Sequence, residues 1–153
     1  MPEETRNIYK SARRSAGLTQ ESAAERLGIS VESVRAYETN QRIPPNDVVE
    51  RMVICYNTQY LAYQHLHETN ELMARVVPEL HQRPVTETVV ALINAINRFS
   101  RTNSAERLLE IVEDGEVDES EMRDVQEIAQ LLKKLSACAM EFDMIVKRKE
   151  ELL

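Results

Sequence analysis

Apolar positions recur every three or four residues along most of this chain, the spacing of one face of an α-helix. Ile8, Tyr9 and Ala12 begin the pattern and predict a helix over residues 3–16, ended by Gly17. Ala23, Leu27, Ile29, Val34 and Tyr37 predict two short helices, Thr19–Leu27 and Ser30 to about Thr39, with these residues inward. Val48, Val49, Met52, Val53 and Tyr56 predict another after Pro45, with Asn46 as its cap. Tyr60, Tyr63, Leu66, Met73 and Val77 predict one unbroken helix from Thr58 to Val77, and Pro78 and Pro84 bracket an expected hinge over residues 79–83.

Three more helices are predicted beyond Pro84. Residues 86–101, with Val85 just before them, carry Val85, Val89, Leu92, Ile93, Ile96 and Phe99 as one stripe. Ser104 is expected to cap a short helix through Asp114 with Leu108, Leu109, Ile111 and Val112 inward, stopped by Gly115. Asp118 and Glu121 have the spacing of a capping box for a last helix reaching about Glu150. Its stripe is Ile128, Leu132, Leu135, Ala139, Phe142 and Val146, with Leu131, Cys138 and Ile145 widening the face. A helix of roughly 30 residues is about 45 Å long. A small domain does not cover that length, so a second copy is expected on part of it.

The stretch Thr19–Pro45 is the most specific. Thr19 and Ser30 are good N-caps, and Gly28 sits where a helix ends in the left-handed region. Two short helices joined by a tight turn containing glycine form a helix-turn-helix, whose second helix enters the DNA major groove. Residues from Ile8 to about Leu61 resemble the phage-repressor-like (XRE, or lambda-repressor-like) helix-turn-helix family. The resemblance rests on GLTQESAAERLGIS, on Val34 and Tyr37, and on YETNQRIPP. Where that family usually carries Glu, one residue, Gly, a basic residue and Pro, this chain has Glu38, Thr39, Asn40, Gln41, Arg42 and Pro44. Asn also tolerates the left-handed region.

The resemblance implies a five-helix DNA-binding domain in which the positions of Val31, Glu32 and Ala36 read bases. The position of Gln20, beside Thr19 at a helix N-terminus, would meet the DNA backbone. By side-chain chemistry, Arg35 suits guanine or a phosphate, Glu32 the cytosine amino group, Val31 and Ala36 a thymine methyl, and Ser33 either a base or a phosphate. Ser30 caps this helix, while Arg42 and the amides around Asn40 and Gln41 would hold the other side of the groove.

Composition fits an all-α protein: 42% hydrophobic, 29% charged, with three Gly and five Pro in 153 residues. No apolar run has the roughly 18 residues of a membrane span, and the first residues lack a signal-peptide core. A cytoplasmic protein is expected. The net charge of −7 looks wrong for a DNA binder, but residues 1–57 hold eight basic and eight acidic side chains. The acidic excess lies entirely in residues 58–153, with 18 acidic against 11 basic. A neutral domain binds phosphates modestly, which argues for action as a dimer.

The expected organisation is a DNA-binding domain over residues 1–61, a connecting helix and hinge over 62–84, and a helical dimerisation or interaction region over 85–153. Other chemistry is not indicated. Residues 113–121 echo the end of a calcium loop, but Val112 falls where an oxygen ligand is needed. His65, His67 and His81 lack metal-finger spacing, and Cys55 and Cys138 sit in apolar helical patterns. Neither a metal, a cofactor nor an enzymatic activity is expected. The expected function is sequence-specific transcriptional regulation, with repression as the default. A protein-interaction adaptor with a degenerate helix-turn-helix is one alternative. The other is a ligand- or peptide-responsive regulator with a pocket between Leu61 and Phe99.

Overall fold

The computed structural model describes residues 6–150. These are all-α, with helices α1 (Ile8–Ser15), α2 (Gln20–Leu27), α3 (Val31–Glu38), α4 (Asn46–Tyr56), α5 (Gln59–Thr69), α6 (Met73–Val76), α7 (Val85–Arg101), α8 (Ser104–Ile111) and α9 (Met122–Glu150). No strand occurs among the described residues, and no described helix is long and apolar enough to cross a membrane. The chain forms two compact units. The first holds the chain through Ala74 and again from Val146, and the second is Arg75–Ile145.

The first unit is built on α1 to α5. Ile8 and Tyr9 of α1, Ala23 and Leu27 of α2, Tyr37 of α3, Val48, Val49, Met52, Val53 and Tyr56 of α4, and Leu61 of α5 form one buried core. The caps that start and stop these helices act over a few residues. Asn7 Oδ1 accepts the Lys10 N–H at 2.9 Å and starts α1, and any start at Glu3 lies outside the described residues. Thr19 Oγ1 accepts the Ser22 N–H, and Ser30 Oγ accepts the Ser33 N–H, each at 3.1 Å. Gly28, at φ 65°, closes α2 in the left-handed region, and Asn40, at φ 57°, turns the chain after α3.

Several expected boundaries move. The helix predicted from Thr58 to Val77 breaks at Asn70, which is extended while its Oδ1 accepts the Leu72 N–H at 3.0 Å. A short amide side chain thus offers the backbone an alternative to the helix. Asn46 does not cap α4. Pro45 holds that position, and Asn46 Oδ1 lies 2.9 Å from Nε2 of the buried His65. Nor does Ser104 cap α8. It is the first helical residue, fully buried, with its hydroxyl 2.6 Å from that of Thr102. α8 ends at Ile111, before the expected Asp114. The Asp118–Glu121 capping box does form: Asp118 Oδ1 accepts the Glu121 N–H at 3.0 Å, and Glu121 Oε2 accepts the Asp118 N–H at 3.1 Å.

In the second unit the helices are rotated relative to the expected stripes. α7 buries Thr88 and Ala95, with Leu92 and Phe99 half-buried, so its inner row is 88, 92, 95, 99. Ile93 and Ile96, expected inside, are about half exposed, as is Val90. On α8, Leu109 and, just beyond it, Val112 also face out. On α9 the centre of the inner face is Ile128, Leu131 and Cys138, while Leu132, Phe142 and Val146 are exposed. The expected hinge over residues 79–83 is pinned. Leu80 is buried, and the His81 N–H donates at 2.8 Å to the buried carboxylate of Glu141.

Candidate nucleic-acid interface

α2 and α3 are held at their angle by apolar side chains below and a polar relay at one end. Ala23, Ala24 and Leu27 of α2 and Val34 and Tyr37 of α3 are buried. Geometry follows from spacing: on α3, positions 34, 37 and 38 face in, which leaves Glu32, Arg35 and Thr39 exposed and Val31, Ser33 and Ala36 half-buried at the edge.

The relay starts at Arg13 on α1. Its guanidinium forks onto Glu38, Nε to Oε1 at 2.5 Å and Nη2 to Oε2 at 2.9 Å, and both side chains are almost wholly buried. Arg13 Nη1 also donates to the Leu18 carbonyl at 2.6 Å. Gln20 Nε2 donates to the same Glu38 Oε2 at 2.9 Å, and Gln20 Oε1 accepts from Arg35 Nε at 3.3 Å. Glu21 Oε1 lies 3.6 Å from Arg35 Nη2. Burial works against the charge on Glu38, but the hydrogen bonds from Arg13 and Gln20 outweigh it and hold the carboxyl below its usual range. Gln20 and Arg35, predicted to face the nucleic acid, are thus fixed from beneath by a buried ion pair.

The opposite edge is built by Arg42. Its Nη2 donates to Ser33 Oγ at 2.9 Å and to the Tyr37 hydroxyl at 3.3 Å, with the guanidinium 5.0 Å from the Tyr37 ring centroid. Ser33 Oγ also accepts from the Ser30 hydroxyl at 3.0 Å. The Gln41 and Arg42 N–H groups both donate to the Ala36 carbonyl, folding the turn back on α3. Thr19 and Gln41 are exposed. The structure gathers all eleven predicted site residues onto α3 and its two flanks, with Thr19 and Gln20 at the N-terminus of α2, and Asn40, Gln41 and Arg42 after α3.

Sequence reasoning missed the support beneath. Arg13 is one of the eight basic side chains of residues 1–57, but Glu38 engages its guanidinium. Asn7 was unremarked, yet its Nδ2 donates to the Tyr37 carbonyl at 2.8 Å and to Asn40 Oδ1 at 2.7 Å, tying the start of α1 to the end of α3. The signal available for Glu38 was its place in the apolar row of α3, four residues after Val34 and next to Tyr37.

This framework is that of a helix-turn-helix domain of the phage-repressor-like type. Residues 10–60 match the family model described as Helix-turn-helix, so the chain carries that domain over about a third of its length. Over 141 residues the chain is 28% identical to the HTH-type transcriptional regulator ImmR of Bacillus subtilis (strain 168), covering 92% of this chain and 94% of the relative. The similarity therefore continues through the second unit. No solved structure matches the chain.

Proposed function

We propose that this chain is a DNA-binding regulator of transcription that reads the major groove with α3 and represses as a dimer by occupying its operator. The observation that carries the reading is the outward row of α3, Val31, Glu32, Arg35 and Ala36, flanked by the α2 N-terminus and Arg42 and backed by the Arg13–Glu38 pair. An outward, half-polar row on a rigid short helix is what major-groove readout requires. The helix-turn-helix match and the transcriptional regulator aligned along nearly the whole chain support the same reading.

The dimer is argued from the second unit. Val90, Ile93 and Ile96 of α7 leave an apolar strip about half exposed, and Leu109 of α8 is 71% exposed. Such a strip on a helical unit suits a second copy, and two linked domains multiply the modest affinity of a neutral one.

A protein-interaction adaptor is the competing reading, favoured by the exposed Glu32 on α3 and the neutral charge of residues 1–57. A salt titration of binding to duplex DNA separates the two. A regulator loses affinity steeply as salt rises while keeping its preference for one sequence, and an adaptor shows neither.

A further inference from the structure

Three cations beside α3 make no side-chain hydrogen bond or ion pair in the relay or its flanks. Lys10 and Arg14 are four residues apart on one row of α1, and Arg6, just before the Asn7 cap, lines the same concavity. No ion pair joins any of them to another described residue. The row beside it is Asn7, Ser11 and Ser15, all short. Together these six residues wall an open concavity of about 630 Å³ whose far side is Glu38, Thr39 and Asn40, the end of α3 and its turn. Glu38 brings little free negative charge there, because both of its oxygens are engaged by Arg13 and Gln20. Asn7 fixes the two walls to each other through Tyr37 and Asn40.

We infer that this concavity seats phosphates of the DNA backbone, extending the contact of α3 onto the strand that passes its C-terminal end. The inference rests on the DNA-binding reading above. Four residues of helix put Lys10 and Arg14 about 6 Å apart along the α1 axis. Long, flexible cationic side chains at that spacing can meet neighbouring phosphates of one strand. The short serines let a backbone approach while the long cations close over it. A protein partner would want a large apolar anchor, and none lines the concavity. Because Thr39 and Asn40 form its wall, whatever lies against α3 reaches the seat without a change of fold.

The test is a salt titration of the full chain on two duplexes of equal length, its selected site and a scrambled sequence, with Lys10→Gln, Arg14→Gln and the double variant. Each single substitution is expected to lower the slope of log affinity against log salt by about 0.9 and the double by about twice that. Both duplexes should weaken by the same factor, Lys10→Arg should keep the original slope, and melting temperatures should not move. Unchanged slopes overturn the inference. So does a loss confined to the selected site, which would make these residues base readers. So does unchanged DNA binding with altered self-association, which would make the seat a protein contact. If the unsubstituted chain shows no salt-dependent DNA binding, the DNA-binding reading itself fails and this inference with it. If it binds and only the variants disagree, the inference alone fails.

Discussion

Arg13 of α1 and Glu38 of α3 form a buried two-pronged ion pair, and Gln20 is hydrogen-bonded to the same carboxylate. Removing one partner leaves the other charge buried and uncompensated, which costs about 3–5 kcal/mol. Arg13→Ala and Glu38→Ala should each lose that much in urea unfolding of the first unit. The paired change Arg13→Met with Glu38→Leu should recover most of it, yet still weaken DNA binding, because Gln20 and Arg35 lose their support. Full DNA affinity in the paired variant would show that the pair serves stability alone.

The same pair sets an acid limit. The Glu38 carboxyl is held below its ordinary range in the fold, so its contribution is complete above the unfolded value near 4. It is lost as pH falls through the folded value. Stability should therefore drop as pH falls below about 4, and Glu38→Gln, already destabilised, should show a shallower drop. Denaturant midpoints measured across that range check it.

His65 works in a higher window. With Asn46 presenting Oδ1, neutral His65 donates from Nε2 at 2.9 Å and accepts the Tyr9 hydroxyl at Nδ1 at 2.8 Å. Burial, with Glu68 nearby, pushes the Tyr9 hydroxyl up to about 12, so it stays a neutral donor. Burial also lowers the His65 pKa. The unfolded chain then binds the proton more readily, so this residue's contribution is complete above about 6.5 and declines as pH falls toward the folded value. A rise in unfolding free energy as pH increases toward about 6.5 that disappears in His65→Gln is the expected result.

Arg35 bridges Gln20 and Glu21 from the exposed side of α3. Arg35→Ala should cost about 1–3 kcal/mol and relax preference at one base pair, if it forks onto a guanine. Uniform weakening across sequences, read by competition binding, would assign it to the phosphates.

The apolar strip on α7 tests the dimer. Ile93→Glu with Ile96→Glu places charges where Val90, Ile93 and Ile96 are about half exposed. Sedimentation should show a dimer for the unsubstituted chain and a monomer for the variant, with DNA affinity reduced at least tenfold through loss of linked binding. A monomer in both would remove the dimer from the account.

Short-range features were legible in the residues. Thr19, Ser30, Gly28 and Asn40 act on amides a few positions away, so caps and spacing placed α2, α3 and the outward row of α3. What needed the fold was rotation and buried charge. Periodicity places a stripe on a helix but not the neighbour it meets, and α7 buries Thr88 and Ala95 where Val89, Ile93 and Ile96 were expected. Arg13, Glu38, His65 and Glu141 are all buried, although Arg and Glu are usually at the surface. Arg13 and Glu38 are 25 residues apart, Asn46 and His65 are 19 apart, and His81 and Glu141 are 60 apart, beyond any local pattern.

The central claim is that α3 reads DNA sequence. Selecting bound fragments from a random duplex pool with the full chain tests it most directly. Enrichment of one site is expected, with two related half-sites about one helical turn, or a multiple of it, apart, and loss of that enrichment in Arg35→Ala with Glu32→Ala. A pool that stays random after repeated rounds, from a chain that is folded, would contradict it.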